Sequence, residues 1–147
     1  MPYTIEQIED AILSTIRGSS LGSYCKTIES YAGQLEDDIK KMVMSFPAIF
    51  VMFSGSEAKM LTNLKYERTL DFTLFVASKN LRGNIAARKD KYGTYQMLDD
   101  LRELLVGNRL SLEIEPLSLL REETILNTKE FSVYASDFRT IAYYEKT

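Results

Sequence analysis

Arg68-Thr69-Leu70-Asp71-Phe72-Thr73-Leu74-Phe75-Val76-Ala77-Ser78-Lys79-Asn80-Leu81-Arg82-Gly83 is the stretch around which the chain is organised. Leu70, Phe72, Leu74 and Val76 recur at period two, so a strand places them on one face suited to a core. Thr69, Asp71, Thr73, Phe75 and Ala77 take the other face, which starts polar and turns apolar. A sheet open to solvent along its whole length would not change polarity in that way. The far end of this strand is therefore expected to be covered, by the chain itself or by a neighbouring subunit. Lys79 to Gly83 then forms a basic exit that ends on glycine and carries one leucine, Leu81, outside the pattern.

Upstream, Ala48-Ile49-Phe50-Val51-Met52-Phe53 is a near-continuous apolar run, read as a central strand buried on both faces. The segment Ser54 to Lys65 between the two strands is mixed and polar and is expected to be a long connecting loop of the kind that contacts partners. Thr4 to Arg17 reads as a helix. Thr4 and Gln7 make a capping box, Ile5, Ile8, Ile12 and Ile16 form an apolar stripe, and Gly18 closes it. Ser19 to Ser23 is a polar linker, and Tyr24 to Tyr31 an edge strand in which Cys25 acts as a small core hydrophobe. Gln34 to Phe46 reads as a second helix with Leu35, Ile39, Met42, Val43 and Phe46 on one side, stopped by Pro47.

Downstream, Tyr92 to Val106 is the clearest helix, with Tyr95, Leu98, Leu101 and Leu105 as its stripe. Asp99 and Asp100 point about 100° apart on such a helix and do not converge on one atom. Leu110 to Ile114 alternates weakly, as a short strand would. Leu117 to Leu126 and Phe131 to Tyr144 flank the polar turn Asn127-Thr128-Lys129 and read as an antiparallel hairpin. The order predicts a single α+β domain over residues 1–147, with two to three helices packed on one face of a largely antiparallel or mixed sheet.

Composition bounds the chemistry. The 147 residues suffice for one real core, and the net charge of −3 exerts no global pull towards nucleic acid. The chain has no histidine and a single cysteine. Ser-His-Asp and Cys-His catalysis are therefore excluded, and a zinc site would have to use carboxylates almost alone. Neither a P-loop nor a dinucleotide-binding glycine loop occurs. The longest apolar run falls far short of the roughly 20 residues of a membrane span, and the first residues lack the pattern of a secretory signal. No cofactor is expected.

Candidate interaction residues remain. Met60, Leu61 and Leu64 have no evident core slot. Phe75, Leu81 and Tyr92 are candidate anchors, and Lys79, Arg82, Arg88 and Lys89, with Lys91, make a local basic cluster. That cluster suits an acidic protein neighbour better than nucleic acid, because aromatic residues do not interleave with it before Tyr92.

Several of these stretches resemble one family. Ile5 to Ile12, Glu29-Ser30-Tyr31, Val51 to Gly55, Phe72 to Gly83 and Tyr95 to Arg102 are similar, in that order, to Mu-like phage and prophage tail proteins. The resemblance spans nearly the whole chain and departs from the pattern at Gln34 to Phe46 and Ser54 to Lys65. It implies a fold like that of tail terminator proteins and a non-enzymatic subunit forming a hexameric ring on the finished tail tube. The partners so implied are further copies of the chain, the tube protein, and sheath, neck or connector proteins. No membrane and no specific nucleic acid are implied, although DNA has room to pass through such a ring. Its place would be the virion tail, after assembly in the host cytoplasm. Two other classes stay open on the residues alone: a small-molecule-binding or regulatory domain with an aromatic pocket, and a carboxylate-only enzyme using Glu113, Glu115, Glu122 or Glu123.

Overall fold

The computed structural model of the chain describes residues 3–36 and 45–147. Within them lie helices α1 (Ile5–Arg17), α2 (Ser20–Tyr24), α3 (Asn84–Lys89) and α4 (Thr94–Leu105), and strands β1 (Thr27–Ser30), β2 (Ala48–Thr62), β3 (Lys65–Lys79), β4 (Ser118–Asn127) and β5 (Phe131–Glu145). The fold is α+β, as the order of elements predicts. The strands form one mixed sheet in the order β1-β2-β3-β5-β4, with β1 parallel to β2 at one edge and every other pairing antiparallel.

β3 is the middle strand. It pairs with β2 on one side, from Lys65 to Ala77, and with β5 on the other, from Lys65 to Lys79. Leu70, Phe72, Leu74 and Val76 are fully buried under Ile8, Ile12 and Ile16 of α1 and Met97, Leu101 and Leu105 of α4. The opposite face divides as its sequence predicts. At its polar end Asp71 accepts two hydrogen bonds from the Arg139 guanidinium, 2.7 and 3.0 Å, and Thr73 donates to Asp137 at 2.7 Å. At its apolar end Ala77 joins Ala48, Phe50, Phe131 and Val133 in a second small core. Tyr31, Leu35 and Phe46 pack against that core, so the chain itself covers the end of the strand.

α1 follows its local signals. Thr4 accepts from the Gln7 backbone N–H at 3.1 Å, and the Gln7 side chain accepts from the Thr4 N–H at 2.8 Å. The expected linker Ser19 to Ser23 is mostly helical, as α2 with Ser19 at its N-cap, and this shortens the edge strand to Thr27–Ser30. The expected helix over Gln34 to Phe46 falls largely on residues 37–44, outside the described residues; its start, Gln34–Glu36, is a 3-10 turn. Leu110 to Ile114 is not a strand. Leu110 and Ser111 have φ of 57° and 58°, which breaks an extended run, while Leu110 and Ile114 are buried in the main core.

The largest departure is Ser54 to Lys65. It is strand rather than loop: β2 runs on to Thr62, turns through Asn63-Leu64 alone, and returns as β3. Past the Phe53/Gly55 bulge the ribbon outruns the helices, so its side chains meet solvent and lose the apolar alternation that marks a strand. Backbone pairing to β3, itself paired to β5 as far as Glu145, holds the extension in place.

This packing sets the cost of substitutions. Phe72→Ala is expected to destabilise the fold by about 3–5 kcal/mol through loss of buried area and the cavity left behind. Thr4→Ala is expected to cost about 1 kcal/mol. Urea denaturation followed by circular dichroism checks both, with Met60→Ser as a near-neutral control.

Candidate functional site

The sequence-predicted interaction residues separate into two groups at opposite ends of β3, whose 15 residues span about 47 Å. At the β2–β3 turn, Met60, Leu61 and Leu64 are all exposed, and Tyr143 and Tyr144 at the end of β5 join them. The register places Met60 opposite Tyr66 and Tyr66 opposite Tyr144, so apolar and aromatic side chains line a ribbon three strands wide. Lys65 and Glu145 form an exposed ion pair across it at 3.9 Å.

The other group surrounds the exit of β3. Leu81 is 81% exposed. Ile85, at 64%, stands four residues further along in α3 and makes a second exposed aliphatic group, one that no pattern in the sequence singles out. Lys79 and Lys89 belong to this end too. Arg82 and Arg88 are less free than their charge suggests: Arg82 donates to Asp90 at 2.9 Å, and Arg88 donates to the Tyr95 hydroxyl at 2.8 Å. Tyr92 adopts φ 67° and stacks on Tyr24 with ring centroids 4.4 Å apart, while the Lys91 ammonium lies 5.0 Å from its ring. Phe75 sits apart from both groups. It is half-buried beside the small core, 4.7 Å from the Tyr31 ring.

Glu122 and Glu123 do not assemble into a pair. Glu122 is held by Arg102 of α4 at 3.0 and 3.1 Å, and Glu123 is bound to Arg121. As neighbours on β4 they point to opposite faces of the sheet. Asp99 pairs with Arg102 at 3.1 Å, whereas Asp100 accepts from the Tyr24 hydroxyl at 2.7 Å and so ties α4 to α2. Among the described residues no three of His, Cys, Asp and Glu are grouped to hold a metal, and no helix is long and apolar enough to cross a membrane. An open groove of ≈930 Å³ lies beside the end of α4, with Val106, Pro116, Leu117 and Ile141 in its wall.

Cys25 is buried, with its Sγ 3.8 Å from the Met97 sulfur. Burial first, and the nearby Asp100 charge second, push its thiol up to about 12 from an ordinary 9.0. Native protein at pH 8 is therefore expected to resist iodoacetamide, while urea-unfolded chain alkylates readily; mass spectrometry of the labelled protein reads the difference. The same shift gives a sign for stability. Below pH 9 both states keep the proton and the contribution is complete; as pH rises from 9 towards 12 the unfolded thiol ionises first, and that contribution is lost. Cys25→Ala is expected to remove this part of the alkaline decline.

The comparisons with known proteins bear on these surfaces. No curated protein matches the chain. Residues 4–143 match the family model described as bacteriophage Mu, Gp37, which covers α1 and all five strands to near the end of β5. The chain belongs to the bacteriophage Mu Gp37 family.

Proposed function

We propose that this phage protein is a structural subunit of the tail, a tail terminator that closes into a hexameric ring on the tail tube and joins it to the neck, and that it carries out no reaction. The observation that supports this most is the pair of exposed apolar groups at the two ends of β3: Met60, Leu61 and Leu64 at the β2–β3 hairpin, and Leu81 and Ile85 just past its exit. A ring is built by a head-to-tail contact between two different patches, and it closes when the rotation between copies allows. A C2 dimer would instead need one self-complementary patch. β3 holds the two ends at a fixed separation through hydrogen bonds on both its edges, which limits how far the rotation can drift.

In this reading the hairpin of one copy seats against the β3 exit of the next, burying on the order of 800 Å² on each partner. Leu64, Leu81 and Ile85 serve as anchors, and Lys89 as part of the polar rim. Tube, sheath and neck proteins meet the surfaces that the ring leaves free, and DNA passes through the opening. The protein works in the virion tail after assembly in the host cytoplasm. The family supports a phage role, and the sequence, without histidine and with one buried cysteine, supports assembly over catalysis.

Cross-linking tests the arrangement. Leu64→Cys and Leu81→Cys proteins, each made in the Cys25→Ala background, are mixed with tail tubes and oxidised. A disulfide is expected between the two different variants and not within either one alone. Native mass spectrometry of the unmodified protein on tubes is expected to show one closed stoichiometry. Cross-links confined to Leu64 with Leu64, or tubes that elongate equally with and without the protein, would overturn the reading.

A further inference from the structure

A second feature lies beside the β3 exit and does not depend on the ring. A cleft of ≈420 Å³ opens where four segments meet: Tyr24 to Lys26 ahead of β1, Phe46-Pro47, the end of β3 at Ser78 to Asn80, and the α3–α4 connection from Asp90 to Gly93. Its size is within the range of about 300–1,000 Å³ typical of ligand sites. Lys26, Lys79 and Lys91 all line it. Among the described residues none of the three forms an ion pair with a carboxylate. Asp90 is the carboxylate among the described lining residues, and it is already occupied: Arg82 donates to it at 2.9 Å and Asn80 at 3.4 Å. The cleft thus gathers three ammonium groups that no carboxylate among the described residues pairs, on a protein whose net charge is −3.

The walls are held in place. Tyr24 is anchored by its hydroxyl on Asp100, and its ring carries Tyr92 at an interplanar angle of 13°. Gly93 fixes the turn behind Tyr92, because a Cβ there would lie 2.6 Å from the Arg88 carbonyl oxygen and 2.8 Å from that of Ala87. Asn80 is tied to the β4–β5 turn through its N–H on the Glu130 carbonyl, 2.8 Å. A rigid cleft lined with point charges can hold an anion without first being ordered.

We infer that this cleft receives an acidic peptide segment of another protein, its carboxylates shared among Lys26, Lys79 and Lys91. Two observations favour a peptide over a nucleic acid. Single strands are held by aromatic faces free to stack bases, and here the Tyr92 ring is already shared between Tyr24 and Lys91. Phosphate recognition also favours the planar fork of arginine, and the two nearby arginines are engaged by Asp90 and Tyr95. Lysine ammonium groups on flexible stems suit carboxylates presented at irregular spacing along a chain.

The test is a titration of the full-length protein with fluorescein-labelled hexaglutamate at low salt, read by anisotropy, beside a labelled hexathymidylate. Saturable binding of hexaglutamate is expected, tighter than that of hexathymidylate and weakening as salt rises. Lys79→Gln and Lys91→Gln are each expected to weaken it several-fold, and the triple variant with Lys26→Gln at least tenfold. Lys59→Gln, on the distant hairpin, is expected to leave it unchanged. The three cleft lysines are exposed, so thermal melts should stay unaltered. Tighter binding of hexathymidylate, absence of saturation, or an equal loss in Lys59→Gln would overturn the inference. None of these results bears on whether copies close into a ring.

Discussion

The structure depends on one constraint: β3 must be satisfied on both edges and both faces, yet it is longer than the core that covers it. Its backbone is paired by β5 along its whole length and by β2 as far as Ala77. Leu70, Phe72, Leu74 and Val76 demand helices on one side and fix the register, since a slip of one residue would carry all four to the other face. α1 and α4 supply that cover over the second half of the strand. Beyond it, Lys65 to Glu67 and the matching residues of β2 and β5 have partners for their hydrogen bonds, but none of them is buried. The projecting hairpin is the direct consequence of a sheet longer than its helices.

The opposite face shows how polarity partitions along one strand. The Asp71–Arg139 and Thr73–Asp137 pairs let the middle of the sheet face water without exposing apolar area. Next to them Phe50, Ala77, Phe131 and Val133 are closed over by Tyr31, Leu35 and Phe46. The same strand therefore carries a core face, a wet face and a small second core. Beyond its two ends stand two groups of exposed apolar side chains, Met60, Leu61 and Leu64 at one and Leu81 and Ile85 at the other, while Val106, Leu120 and Ile125 are exposed elsewhere. Exposed aliphatic groups at such positions are what an assembly subunit would keep, and a monomer with no partner would gain solubility by losing them.

Much of the fold was legible because its signals are local. The capping box and isoleucine stripe of α1, the stripe of α4, the period-two run of β3 and the β4–β5 hairpin all lie within short windows. Ser54 to Thr62 was misread because a strand outside the core carries no hydrophobic alternation, and Asn63 is followed by Leu64 rather than by the glycine that marks a tight hairpin. Leu117 to Leu126 was placed correctly, but bulges at Leu119/Arg121 and Thr124/Leu126 shift which side chains share a face. Of the candidate residues, Met60, Leu61, Leu64 and Leu81 were visible as leucines and methionines without a core slot. Ile85 was hidden inside a basic segment. The cleft was legible only in part: Lys79 and Lys91 belong to a basic cluster visible in the sequence, but Lys26 meets them only through the parallel pairing of β1 onto β2 and the α3–α4 turn.

Electron cryomicroscopy of tails assembled with and without this protein tests the central claim most directly. The account predicts tubes of uniform length, each ended by a closed ring of copies whose β2–β3 hairpins are buried against the adjoining copy. Tubes of unchanged length distribution that lack the ring, with the protein remaining a free monomer beside them, would contradict it.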